Sequence, residues 1–292
     1  MARLYDDVIC HILQFIPSEL ILRECMLISR VWYKNCLTIP LSLNLWRNLS
    51  IHELKQTTVD KLIILSRSHH LENLTSLHLP GCLVGEDVKW ITTGKYMTNI
   101  TDLNLSNNGL WKSMEIVTSN PTLKKLKSLN LNSNLIKHEG MELLANCPDM
   151  SQVTELFLCC NVIGVVGITC LVNSRYLTNL TVLDLKMNHL EDEGVKILTQ
   201  GQNMASLTTL DLYGNAITNI GIEYIALSPI LSNVSTLSLL KNRVTREGAL
   251  SLANSSHLKK LKELCMDFEQ FKEVATLFKE TFPLLKRLRS LR

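Results

Sequence analysis

The chain has 292 residues, of which 46% are hydrophobic and 20% charged, with a formal net charge of +3. That balance excludes a disordered chain and fits a globular or solenoid protein, and a charge so mild gives no case for nucleic-acid binding. No apolar stretch approaches a membrane span, and Met1 to Asp7 carries acids where the apolar run of a secretory leader would stand, so the expectation is a cytoplasmic and/or nuclear protein, not secreted and not in a membrane.

Residues 1–38 read as three short helices. Asp6 and Asp7 suit a helix start. Val8, Ile12, Leu13, Phe15 and Ile16 form an apolar stripe that Pro17 ends. Ser18 can cap a second helix carrying Leu20, Leu22, Cys25 and Ile28, and Ser29 a third carrying Trp32 and Leu37. Helices this short bury little on their own. From the residues alone, one reading is a helical cap on the array that follows. The string Leu4-Tyr5-Asp6-Asp7-Val8, then Ile12-Leu13, Ile16-Pro17, Leu22 and Ile28-Ser29-Arg30-Val31-Trp32, also resembles an F-box. That motif opens L-P-x-E-(I/L) and closes V-(C/S)-(K/R)-x-W. The close matches, whereas Tyr5 stands where the pattern has proline. The resemblance implies docking of a Skp-family adaptor. Leu4, Val8, Ile12, Leu13, Ile16, Pro17, Arg30 and Trp32 would build or support the docking helices.

Residues 39–73 read as a degenerate first repeat. Leu43, Leu45 and Asn48 fit the strand frame described next, and Val59, Leu62, Ile63 and Leu65 mark a helix near Thr58 to Ser66. No Gly/Ser/Pro linker precedes the repeats, so the two parts are expected to be rigidly joined.

Residues 74–268 follow the frame L-x-x-L-x-L-x-x-N-x-L. Its first position falls at Leu74, Ile100, Leu126, Val153, Leu180, Leu207, Val234 and Leu261, in steps of 26, 26 and then 27. In each copy the L-x-x-L-x-L part reads as a short strand whose alternation sends Leu183 and Leu185 inward and Asp184 outward. Asn108, Asn134, Asn161, Asn188, Asn215 and Asn242 are placed to bond the backbone of neighbouring turns. Cys82 stands in that row as a weak donor. Gly140, Gly167, Gly194, Gly221 and Gly248 recur at the same period. With an aliphatic residue four positions on, each is expected to start an amphipathic helix.

This pattern is that of leucine-rich repeats and resembles their ribonuclease-inhibitor-like class. The expected fold is an α/β leucine-rich-repeat solenoid with parallel strands on the concave face and helices on the convex face, preceded by a small three-helix F-box-like segment. One unit buries too little to fold alone, so stacking must stabilise the array.

Residues 269–292 read as a C-terminal cap. Phe271, Val274, Ala275, Leu277 and Phe278 form an amphipathic helix, and Lys286, Arg287, Arg289 and Arg292 a basic tail. The last strand is expected at Leu261 to Met266. The nine cysteines form no C-x-x-C pair and read as reduced, mostly buried thiols. The N-x-S/T sequences at Asn73, Asn99, Asn179 and Asn233 share one repeat position and read as repeat grammar, not glycosylation sites.

Solenoid curvature would gather the outward strand residues on one inner face. Six of them are carboxylates and only Lys186 is a base. The candidate substrate-binding set is Asp102, Asn104, Asn130, Glu155, Phe157, Val182, Asp184, Lys186, Asp211, Tyr213 and Leu240. Aromatic and apolar groups beside charge are what binding hot spots are made from, so the patch could hold a partner's basic segment. Ordinary surface variation along a scaffold is the other reading.

No metalloprotease, dinucleotide or phosphate-loop motif is present, and the histidines have no metal-ligand spacing. No cofactor, metal or catalytic set is expected. As a whole the chain resembles an F-box/leucine-rich-repeat protein. That implies a non-catalytic substrate-recognition subunit of an SCF-type (cullin–RING) ubiquitin ligase, with the repeats holding the substrate and acting by proximity. The alternatives are a leucine-rich-repeat scaffold or inhibitor whose N-terminal helices only cap the solenoid, and a Ran GTPase-activating protein, for which no loop arginine singles itself out.

Overall fold

A computed structural model describes residues 41–44, 74–81, 83, 85–92, 97–119, 121–267 and 273–289. The F-box-like segment with its eight adaptor residues, Asn48 and the Thr58–Ser66 helix of the degenerate repeat, Cys82 and Phe271 all lie outside the described residues.

Among the described residues, ten strands form one sheet in sequence order: β1 (Leu41–Asn44), β2 (Leu74–His78), β3 (Asp102–Asn104), β4 (Ser128–Asn130), β5 (Glu155–Phe157), β6 (Val182–Asp184), β7 (Thr209–Asp211), β8 (Thr236–Ser238), β9 (Glu263–Cys265) and β10 (Arg287–Arg289). Every neighbouring pair is parallel. The pairing keeps the sequence frame: Leu43 stands opposite Leu77, and Leu156 opposite Leu183, which in turn faces Leu210. Strands of this length suffice because each one only has to carry its inward leucines past the core. Leu180, Leu183 and Leu185 are fully buried, as are their counterparts in the other regular repeats.

The asparagine row forms as expected. Asn188 Oδ1 accepts the N–H of Asn161 at 3.0 Å and of Ile163 at 3.3 Å, and its Nδ2 donates to Leu158 O at 2.9 Å. Asn134, Asn161 and Asn215 repeat the pattern and, like Asn188, are fully buried. Each amide thus serves backbone groups that the turn would otherwise leave orphaned. The ladder also holds strained backbone. Leu135, Val162, His189 and Ala216 directly follow its asparagines and have φ of 55°, 55°, 56° and 58°, a left-handed conformation rare for a β-branched residue such as Val162. At the other end of the strands runs a second row, in which Thr181, Thr208 and Ser235 hydroxyls donate to the carbonyls of Thr154, Thr181 and Thr208 at 3.1, 3.0 and 3.1 Å.

The helices are α1 (Lys89–Thr92), α2 (Met114–Thr118), α3 (Lys137–Ala145), α4 (Gly164–Val172), α5 (Glu191–Leu198), α6 (Asn219–Leu227), α7 (Arg246–Ala253) and α8 (Glu273–Thr281). From α3 to α7 they begin shortly before the recurring glycines, not at them. Those glycines answer to packing instead. A Cβ at Gly167 would lie 2.3 Å from Ile163 Cγ2, and one at Gly221 would lie 2.5 Å from both Ile217 Cγ2 and Asp192 Oδ1. Asp192 comes that close because it caps the next helix. Its Oδ1 accepts the N–H groups of Thr218 and Gly221 at 2.8 and 2.9 Å, and its Oδ2 accepts the Thr218 hydroxyl at 2.6 Å.

The C-terminal stretch differs from the sequence reading, which ends the strands at Met266. Helix α8 does close the core with Val274 and Phe278, and the Phe278 and Phe282 rings stack at 6.1 Å. The chain then returns as β10, paired to β9. Lys286 and Arg287 N–H donate to Lys262 O at 2.8 and 3.0 Å, and Met266 N–H donates to Arg289 O at 2.9 Å. Part of the expected basic tail is therefore a strand. Among the described residues, no helix is long and apolar enough to cross a membrane.

Candidate interaction face

The outward strand residues share one face of the sheet, since the strands pair in frame. The middle outward position has a structural duty of its own. Asn104, Asn130, Asp184 and Asp211 each use a side-chain oxygen to accept the backbone N–H two residues on, all at 3.0 Å. These bonds satisfy the strand exit. A neutral amide performs this task as well as a carboxylate.

Phe157 holds the same position, between Asn130 and Asp184, and has no oxygen to offer. The N–H it would have served belongs to Cys159, and Asn132 Oδ1 of the preceding repeat accepts it at 2.7 Å. The structural oxygen has been exchanged for an aromatic ring, and a neighbour covers the loss. Val182, Tyr213 and Leu240 follow on the next three strands or their exits, each half-buried like Phe157. Tyr213 and Leu240 share one frame position on adjacent repeats, whereas Phe157 stands one outward position and Val182 two outward positions nearer the strand starts.

The charges are paired more fully than the sequence suggests. Lys186 Nζ lies 3.0 Å from Asp184 Oδ2 and 3.3 Å from Asp211 Oδ2. Asp184 is buried, with 7% of its surface exposed. Burial pushes its carboxyl pKa above the ordinary value, more than the Lys186 backbone and ammonium donors pull it down. Burial also works against the Lys186 ammonium, but hydrogen bonding and attraction from the two carboxylates outweigh this and hold its pKa above the ordinary lysine value. Both directions have the same origin: a partly dry site in which the lysine has two acidic partners and each acid has one lysine.

Elsewhere on the face, Asp102 Oδ2 receives His78 Nε2 at 2.7 Å and the Ser76 hydroxyl at 2.8 Å. Sequence spacing did not reveal this trio. Both donors end on one carboxylate oxygen, so the arrangement fixes Asp102; the Ser76 proton is bonded to the carboxylate, not passed to the imidazole. Glu263 pairs with Arg289 at 3.3 Å and Arg287 at 3.7 Å. Lys186 is therefore not the face's sole base, because β10 adds two arginines. Asn104, Asn130 and Glu155 sit half-buried on their strands, as the frame places them.

Five cysteines among the described residues are free. Cys159 and Cys160 sulfurs are 3.3 Å apart. Burial first, then the hydrogen bond with Cys160, pushes the Cys159 thiol up to about 12, so it stays protonated at neutral pH. Among the described residues no cluster of three or more His, Cys, Asp or Glu could hold a metal ion.

With this geometry in view, the class is plain: an α/β leucine-rich-repeat solenoid. The Leucine Rich repeat family model matches residues 122–145, 176–198 and 203–226, so leucine-rich repeats are present. Comparison with curated proteins finds no match. Among solved structures, the chain is similar to an internalin (inlF) from Listeria monocytogenes str. 4b F2365, at 23% identity and a TM-score of 0.45, over 67% of this chain and 48% of that one. It thus spans about half the length of that internalin, 48%. It is also similar to a chain of the yeast Rad7 and Elc1 complex, at 13% identity and a TM-score of 0.49, over 97% of this chain and 81% of that one.

Proposed function

We propose that the chain is the substrate-recognition subunit of an SCF-type (cullin–RING) ubiquitin ligase. Residues 1–38 dock a Skp-family adaptor, and the concave face holds a protein substrate through a basic segment. The observation that carries this reading is Ile28-Ser29-Arg30-Val31-Trp32. A simple cap has no need of that combination, and it stands ahead of the leucine-rich-repeat array. The exchange of a structural oxygen for the Phe157 ring supports the substrate half of the reading. In this reading the chain performs no chemistry and needs no cofactor. It holds the substrate near a partner that does the transfer, in the cytoplasm and/or nucleus, raising effective concentration.

The test is binding of the purified full chain to a Skp-family adaptor, with Trp32→Ala and Pro17→Ala beside wild type. Wild type should bind. Trp32→Ala should lose about tenfold or more in affinity, as buried aromatic anchors do, while its thermal midpoint stays near that of wild type. If wild type fails to bind, residues 1–38 are a cap, and the scaffold or inhibitor reading replaces this one.

A further inference from the structure

The neutral amides of Asn104 and Asn130 show that strand exit at this position needs no charge. Asp184 and Asp211, register partners on β6 and β7, nevertheless put two like charges on neighbouring strands, an arrangement that destabilises a sheet unless something answers it. Each spends Oδ1 on the backbone. The two Oδ2 atoms converge on one point, where the Lys186 ammonium sits at 3.0 and 3.3 Å. No other regular repeat carries a base at the frame position of Lys186. The result is a two-carboxylate seat for one cation, filled by the chain's own lysine.

That lysine is a replaceable occupant. It reaches the seat on a flexible stem, and 35% of its side chain is exposed to solvent. The seat itself is preformed, since backbone N–H groups fix both carboxylates. Phe157 stands beside Asp184 on the adjoining strand β5, and Tyr213 lies two residues beyond Asp211 at the exit of β7. Two separate carboxylate oxygens beside aromatic rings fit a guanidinium better than an ammonium, because its planar fork can donate to both and stack on a ring.

We propose that Asp184 and Asp211 form the seat for an arginine side chain of the bound protein segment, and that Lys186 fills this seat until the arginine displaces it. The inference rests on the concave-face reading above and names what that face selects. Exchange keeps the carboxylates paired throughout, so the partner does not have to overcome the cost of burying unpaired charge. The displaced ammonium returns to water. A weaker or mispositioned cation gains nothing, because a cation is already in place. Lys186 thereby acts as a threshold for binding as well as a counter-ion.

The distinctive consequence is that removing this positive charge strengthens the capture of a positive ligand. Random dodecapeptides displayed on phage are selected on the full chain, wild type and Lys186→Met in parallel, at neutral pH. Peptides from the Lys186→Met pool should be enriched in arginine and bind that variant about tenfold tighter than wild type. Adding Asp184→Asn or Asp211→Asn should lose about tenfold. Replacing the peptide arginine by citrulline should cost much less once Asp184→Asn is present than before, as expected for a coupled pair. The amide keeps the backbone bond already made by Asn104 and Asn130, and unchanged thermal midpoints confirm that the Asn variants are folded. A pool without arginine enrichment overturns the proposal. So does weaker binding by Lys186→Met than by wild type, or a citrulline cost indifferent to Asp184. The adaptor experiment reads residues 1–38. Its failure alongside arginine-dependent capture would refute the ligase assignment and leave the arginine seat standing.

Discussion

The asparagine ladder and the concave face are both rows of polar positions repeated along the same strands, yet they behave oppositely. In the ladder the same residue returns in repeat after repeat, fully buried from Asn134 to Asn215 and bonded in one way. On the face, one frame position holds Asn130, then Phe157, then Asp184 and Asp211. The contrast separates two demands on a single period. A position whose chemistry is dictated by backbone groups varies little, and from Asn108 to Asn242 it is asparagine in every repeat, because every turn presents the same orphans. A position whose structural duty can be met by an amide, a carboxylate or a neighbour is free to take up binding. Phe157 shows this freedom most clearly, since Asn132 does its bonding for it.

Breaking the ladder should have the largest effect. Asn188→Leu would strand the N–H groups of Asn161 and Ile163 in a buried setting, while Leu158 O keeps its bond from Asn161 Nδ2. At about 1–3 kcal/mol for each of these two orphaned groups, the variant should lose roughly 2–6 kcal/mol, read as a lowered denaturant midpoint. A loss below about 1 kcal/mol would mean that water replaces the amide and that the ladder is not what fixes the row.

The opposite side of the comparison is sharpened by Phe157→Asn. This restores the residue that Asn104 and Asn130 carry at the same position, so the new amide can again accept the Cys159 N–H. Stability should change by no more than about 1 kcal/mol, within the range of ordinary surface substitutions. Capture of a concave-face ligand should fall about tenfold or more, as expected for loss of an aromatic anchor. If stability drops as in the ladder variant, Phe157 is core and the face loses its strongest pointer.

The same contrast explains what was legible beforehand. The frame of 26 and 27 residues placed the strands, the buried leucines, the asparagine row and the membership of each outward row, because a repeated environment selects a repeated residue type. It hid β10, where Leu285 follows Leu261 by 24 residues instead of 26 or 27. It misread the recurring glycines as helix starts, because a steric contact with residues such as Ile163 or Asp192 leaves the same trace in sequence as a turn does. Pairings between rows were also hidden. Ser76 and His78 meet Asp102, Lys186 bridges two strands, and Asn132 reaches across to Cys159. A period states which residues share a row, but which ones touch depends on side-chain reach between rows.

The smallest effect tests whether the charged part of the face is also structural. Lys186 holds its proton more tightly in the folded protein than at the ordinary lysine value of 10.5. Its contribution to stability is therefore complete below that value and is lost as pH rises through the folded pKa. On the acid side the pairing needs ionised partners. The Asp184 carboxyl is held above its ordinary 3.8, so protonation begins to remove the pairing at a higher pH than for a free carboxylate. Asp184 itself has the reverse sign: its raised pKa favours the folded state at low pH, and burying its charge is a cost at neutral pH that Lys186 offsets. Wild type should thus exceed Lys186→Met in stability across a neutral plateau that fades at both ends. The plateau should be under about 1 kcal/mol, because the lysine is partly exposed and solvent screens the pair. Thermal midpoints of both proteins across pH would show the plateau as a difference curve. A difference that persists above the lysine range would mean that Lys186 acts through its aliphatic stem packed on the face, not through its charge.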